Sequence, residues 1–325
     1  MLSWQAVAFS LFIVSWSGVL VTAEAANCQR NPDHRSCGDE DPLPQGELSY
    51  VLYLDRYVVG DFFLAQLPDL LLDDPGIVSP SIVKLNGFKG KLGNPDVSPD
   101  GQHIAFAAIV RNDWNIYTGE LNVAKAEVTN IKPLADRRGI REEDPRYSWD
   151  GQQLVYKCGG NICLFQEHVP NPVVSSGCEL WGPAFHPSGT MISYTARCDT
   201  PQSDRIFIYD LATGQTVAVP NLDGGPDRFS HFTGDGRLIY SHLDPQTETA
   251  SLWSYVGGVT SPFHDRTNSD DDPYADKLDW EYLAFVGYQN GYDLFIYRET
   301  RSDSVQLTQD IPVLGPIIFH VQHGE

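Results

Sequence analysis

An all-β, six-bladed β-propeller is the fold that this chain of 325 residues predicts, on three observations. One strand–turn–strand pattern recurs. Asn94-Pro95-Asp96-Val97-Ser98-Pro99-Asp100-Gly101 leads into Ile104-Ala105-Phe106, and the pattern returns at Asp144–Gly151, Gly182–Gly189 and Phe229–Gly236, each time before an apolar run. Asp272-Pro273-Tyr274 repeats it with an altered turn at Lys277-Leu278-Asp279. The turn glycines Gly101, Gly151, Gly189 and Gly236 fall 50, 38 and 47 residues apart, and strand units recurring at ~40–50 residues are the signature of propeller blades. Finally, the first strand group lacks its leading strand while Gly315–His320 is left over. Joining the two completes six blades and closes the ring without an open edge.

Each element follows from its residues. Pro99 fixes φ and Gly101 accepts dihedrals that a side chain forbids, which makes a tight turn. With A, B, C and D as the strands of a blade from the centre outward, the first unit supplies Leu48–Leu54, Phe62–Leu67 and Ile82–Leu85 as B, C and D. β-Branched and aromatic residues dominate them. The second unit has B at Ile104–Val110, C at Asn115–Leu121 and D near Ala126–Ile131. The third has Leu154–Lys157, Ile162–Gln166 and a strand near Val173–Val174. The fourth has Met191–Thr195, Ile206–Asp210 and Thr216–Val219. The fifth has Leu238–His242, Ser251–Tyr255 and a strand near Val259–Ser261. The sixth has Tyr282–Val286, Asp293–Tyr297 and Ser304–Leu307.

Residues 1–26 read as a secretory signal peptide: Leu2–Val21 is apolar, and Ala23-Glu24-Ala25-Ala26 follows as an A-x-A-like cleavage site. No Lys or Arg precedes the apolar run, so an uncleaved anchor is the alternative; after cleavage no membrane span is expected. Residues 27–45 form a polar extension and 46–325 the propeller. The formal net charge of −21 argues against nucleic acid as a partner, because phosphates are repelled. Six cysteines agree with export and read as three disulfides, local spacing favouring Cys28–Cys37, Cys158–Cys163 and Cys178–Cys198. Loop length makes the Cys178 bridge the more stabilising of the last two. The expected location is the periplasm or the extracellular space.

Ser98-Pro99-Asp100-Gly101-Gln102-His103-Ile104-Ala105-Phe106 followed by Trp114-Asn115-Ile116-Tyr117 resembles the TolB-type, or PD40 (WD40-like), propeller repeat. Arg205–Asp210 and Tyr292–Tyr297 resemble its second strand. The resemblance covers about residues 46–320 and implies the propeller. TolB itself carries a further α/β domain, whereas only Asn27–Gln45 precede the blades in this sequence. Similar propellers occur in oligogalacturonate lyases, in oligopeptidases and in binding proteins. A serine peptidase of that kind needs a G-x-S-x-G elbow, and the sequence has none.

In a propeller the D–A and B–C loops share one face, here called the funnel face. Arg138, Arg141, Asp144, Trp181, Arg228, His231, Arg266 and Asp272 collect there, together with Cys158, Cys163, Cys178 and Cys198. Mixed charges, a Trp and disulfide-stiffened loops suit a binding face for a protein partner or a saccharide. Asn268–Asp272 offers clustered oxygens for a hard cation such as calcium. His320 and His323, near Gln322, are suggestive because the resembling lyases hold manganese with His and Gln, but strand direction puts them on the opposite face. His186 reads as a turn cap. No cofactor is expected beyond these calcium or manganese options. The reading is a non-catalytic binding protein; the alternative is a metal-assisted polysaccharide lyase.

Overall fold

The computed structural model describes residues 47–54, 60–66, 81–88, 90–166, 169–200, 204–263, 269–275, 282–288, 292–298, 302–308 and 314–322. These form 24 strands in six four-stranded antiparallel sheets, a six-bladed propeller. Among the described residues no helix is long and apolar enough to cross a membrane. Blade one is β24(Leu314–Gln322)-β1(Glu47–Leu54)-β2(Phe62–Gln66)-β3(Ser81–Lys84). Blade two is β4(Lys91–Val97), β5(His103–Val110), β6(Asp113–Asn122) and β7(Glu127–Ala135). Blade three is β8(Glu142–Tyr147), β9(Leu154–Cys158), β10(Asn161–Gln166) and β11(Val169–Val174). Blade four is β12(Glu179–Phe185), β13(Met191–Arg197), β14(Arg205–Asp210) and β15(Thr216–Ala218). Blade five is β16(Asp227–Phe232), β17(Leu238–Leu243), β18(Ala250–Val256) and β19(Val259–Pro262). Blade six is β20(Ser269–Ala275), β21(Tyr282–Tyr288), β22(Tyr292–Arg298) and β23(Asp303–Gln306). The C-terminal β24 pairs with β1, Ile318 opposite Val51 and Phe319 opposite Tyr50.

The recurring turn is held by its own side chains. Gly101 takes φ +69° and its N–H donates to the Ser98 carbonyl at 2.9 Å. The Asp100 carboxylate accepts from the Gln102 N–H at 2.9 Å and from the Ser98 hydroxyl. Ser148 with Asp150 and Thr233 with Asp235 repeat this chemistry. In blade four His186 takes the place of the serine, its Nδ1 accepting from the Ser188 N–H at 3.1 Å. An Asx-type turn of this kind closes a hairpin with local residues alone.

A second repeat lies inside the inner strands. The register of β4 with β5 breaks between Gly93 and Asp96, and equivalent breaks fall at Glu143/Arg146, Trp181/Ala184, Arg228/His231 and Asp271/Tyr274. The break between β24 and β1 falls opposite Gly315-Pro316. Each is a β-bulge, and a bulge is where a strand tolerates proline: Pro95, Pro145, Pro183, Pro273 and Pro316 all sit there. Residues before the bulge still pair, so the inner strands begin earlier than the apolar pattern indicates, β4 at Lys91 and β8 at Glu142.

The core is a set of seams between blades. Val155, Ile162 and Leu164 of blade three pack on Leu180, Ile192 and Tyr194 of blade four. Ile206 of blade four packs on Phe232, Leu238 and Tyr240 of blade five. Full burial of one such side chain contributes about 1.5–3 kcal/mol. Cys158–Cys163 bridges the β9–β10 turn and Cys178–Cys198 joins the loop before β12 to the end of β13. Cys28 and Cys37 lie outside the described residues.

Candidate functional site: the funnel face of blades two to five

The bulges set the backbone of the channel wall at its funnel end. Asn94, Asp144, Gly182 and Phe229 occupy equivalent bulge positions with φ of +34°, +53°, +56° and +50°. Asn and Asp enter this left-handed region with modest cost, Gly with none, while a Phe there is a conformational outlier. Asn94 Nδ2 donates to Asp144 Oδ1, and the Gly182 N–H donates to Asp144 Oδ2 at 3.1 Å. Asp144, 9% exposed, thus ties blades two, three and four together at the channel.

Arginines surround this wall, and buried carboxylates hold them. Asp204, at the start of β14, is fully buried. Arg197 grips it with Nε at 2.7 Å and Nη2 at 2.8 Å, and Arg228 adds an Nε bond at 2.8 Å. Asp204 holds the Arg197 guanidinium above its ordinary pKa against the opposing effect of burial. The Arg197 guanidinium lies 5.8 Å from the Trp181 ring centre, and Trp181 meets Phe229 edge to face at 5.2 Å. In blade three, Arg137 Nε pairs with the fully buried Glu142 at 2.8 Å. Burial pushes the Glu142 carboxyl up, and Arg137 pulls it back. Lys157 donates to Glu179 at 2.8 Å across the seam to blade four, holding that carboxyl low.

Of the residues singled out in the sequence, Asp144, Trp181 and Arg228 converge on blades three to five. Arg141 lies a sector away, paired with Glu143 at 2.6 Å and 5.9 Å over Trp114. Arg138 is exposed in the β7–β8 loop. His231, in β16 opposite Ile239, is buried in the wall at 3% exposure. The backbone of Asp272 lies in the β20 bulge; Arg266 is outside the described residues, as are Asn268 and His323. Among the described residues, no three His, Cys, Asp or Glu side chains are grouped to hold a metal ion.

Sequence reasoning missed Asp204, Arg197, Phe229 and a clamp at His242. That imidazole, 5% exposed, binds Asp227 through Nδ1 at 2.8 Å and Asp223 through Nε2 at 3.0 Å. The clamp fixes the loop between β15 and β16 to blade five. Arg205 holds the same loop through the carbonyls of Gly224 and Gly225, both at 3.0 Å. An Asp-Gly-Gly-Pro-Asp run beside a His in the following strand is the one local signal for it.

No protein-family model matches the sequence, and neither does any curated protein. Solved structures do match. The chain is similar to TolB from Acinetobacter baumannii, with TM-score 0.62 at 14% identity over 84% of this chain and 66% of that one. A nidogen/laminin complex matches with TM-score 0.62 at 9% identity, covering 83% of this chain and 98% of that one. An oligogalacturonate lyase in complex with manganese matches with TM-score 0.50 at 17% identity, over 82% and 74%. At such identities the likeness carries architecture: the chain is a TolB-like six-bladed propeller, and its function has to come from its site.

Proposed function

We propose that the chain is a non-catalytic binding protein of the periplasm or the extracellular space that takes a partner protein on its funnel face. The observation that supports this most is the locking of that face. Arg137, Arg197 and Arg228 are oriented by carboxylates that are themselves fully buried, and two disulfides brace the adjoining loops. A face so fixed loses little side-chain entropy when a partner docks, and arginine and Trp are the residue types that dominate such interfaces. The nidogen/laminin match is a propeller in a complex of two proteins, and the TolB match has the same architecture. The disulfides suit an oxidising compartment.

Charge reversal at the exposed rim tests the reading. Arg138→Glu is expected to weaken partner binding about tenfold with an unchanged thermal midpoint. Unchanged affinity would remove the funnel face from the account. Mixing the purified chain and Mn²⁺ with oligogalacturonate is expected to produce no ultraviolet-absorbing unsaturated product; its appearance would replace binding by lyase chemistry.

A further inference from the structure

A cleft of about 980 Å³ opens at the seam of blades two and three, on the face opposite the funnel. Small-molecule sites usually enclose ~300–1,000 Å³. Its walls come from two blades. The β4–β5 turn, β6 and β7 supply one, and the end of β8, the β8–β9 turn and β10 supply the other. The two turns meet at close range: a Cβ on Gly151 would stand 3.3 Å from Pro99 Cδ. The blade-two wall is bulged. The register of β6 with β7 shifts between Ile116 and Tyr117 and again between Thr118 and Glu120, and Asn130 takes φ +52°. Bulges re-aim the side chains beside them, here Thr118, Glu120, Asn130 and Lys132, all of which line the cleft.

Exposure sorts the lining into a floor and a rim. Leu134, Tyr147 and Phe165 are half-buried and pack on the core shared by blades two and three, so they form an apolar floor. Asp100, Glu120 and Asp150 are exposed around it, against one lysine, Lys132. Each carboxylate gives one oxygen to the fold and keeps the other. Asp150 Oδ1 accepts from the Ser148 hydroxyl at 2.6 Å and from the Gln152 N–H at 3.0 Å, and Glu120 Oε2 accepts from Asn130 Nδ2 at 2.7 Å. Asp150 Oδ2 and Glu120 Oε1 have no partner among the described residues. Asp100 Oδ1 caps its own turn, which leaves Oδ2 with His103 Nδ1 at 3.5 Å.

We propose that this cleft binds a small organic cation, an ammonium group carried on an apolar body. The body covers the apolar floor, and the charge meets carboxylates that outnumber Lys132. An ammonium nitrogen has donors and no acceptor, which matches a rim whose spare atoms are carboxylate oxygens. Tyr147 and Phe165 add aromatic rings, a surface that attracts cations. An anion is repelled by the rim and by the net −21 of the chain. The site shares no residue with the funnel face and stands independently of partner binding there.

Saturation-transfer NMR titration of the full chain tests it with probes of similar size: phenethylammonium, the neutral 2-phenylethanol and the anion 3-phenylpropionate. Phenethylammonium is expected to receive transfer and to bind about threefold more tightly than 2-phenylethanol, with 3-phenylpropionate the weakest. Two substitutions of opposite effect locate the site. Glu120→Gln keeps the acceptor for Asn130, removes a charge and should weaken phenethylammonium about threefold, the worth of an exposed charge pair. Lys132→Gln removes the competing cation and should tighten it by a similar factor. Glu248→Gln, which removes an exposed carboxylate from the β17–β18 loop on the funnel face, should leave the affinity unchanged. Absence of transfer to phenethylammonium overturns the cleft, as does equal affinity for all the probes. Weakening by Glu248→Gln equal to that by Glu120→Gln overturns it too, since it marks a general attraction to an acidic chain. So does a shift in the same direction, or no shift, for Glu120→Gln and Lys132→Gln. Each of these results leaves partner binding at the funnel face standing.

Discussion

Asp204 shows how much of this site depends on single buried groups. It is fully buried with two guanidinium partners, so Asp204→Ala removes the carboxylate that Arg197 and Arg228 share. The expected loss is about 3 kcal/mol, read from chemical denaturation, and a loss below ~1 kcal/mol would show that the network contributes no stability. His242 adds a pH dependence. Burial opposes its proton, but hydrogen bonds and charge from Asp227 and Asp223 outweigh that and raise its pKa. The Trp253 ring at 5.0 Å covers its remaining side. A raised pKa means that the stabilisation is complete below the unfolded value near ~6.5 and disappears as pH climbs through the folded one. The thermal midpoint of the native chain should therefore fall as pH rises from about 6, and that of His242→Gln should fall less. Equal slopes would contradict the clamp. Asp144, Trp181 and Arg228 can be picked out as candidates in the sequence because they sit in or beside a visible repeat. Asp204 and His242 cannot, because their partners come from other strands and, for Asp204, from another blade.

Within single elements, the repeat was readable because each turn closes on its own side chains. Gly189 has φ +70° and free space around it, so Gly189→Ala tests conformation alone and should cost about 1–2 kcal/mol. Gly177, with free space and no left-handed φ, should tolerate Ala with little change. Equal costs would contradict this account of the turn. The bulges were harder to read, since an X-Pro pair inside a strand looks like its end until the register on both sides is known. The disulfides show where loop length misleads. Closing 20 residues is worth ~3 kcal/mol and closing 5 about 2, which favours Cys178–Cys198. Yet Cys158 and Cys163 are 4% and 0% exposed, among Ala105, Ile116 and Tyr156, whereas Cys198 is exposed. Serines at 158 and 163 bury two hydroxyls in that cluster. Cys158→Ser with Cys163→Ser should therefore lower the thermal midpoint more than Cys178→Ser with Cys198→Ser, the reverse of the order that loop length implies.

Across the whole molecule, the six-blade pattern was legible because blades two to five repeat one turn before each second strand, and the remaining strands complete two further units. The proposed binding face draws on several blades, and alternation within a strand does not report which seam an arginine enters. Recognition is proposed to take place at the D–A and B–C loops. It is tested most directly by a photo-crosslinking amino acid placed at Arg138, exposed on that face, and separately at Gln152, exposed in the β8–β9 turn on the other. In extracts of the native compartment, position 138 should yield a discrete protein adduct and position 152 none. Adducts from 152 alone, or from neither position, would contradict the account.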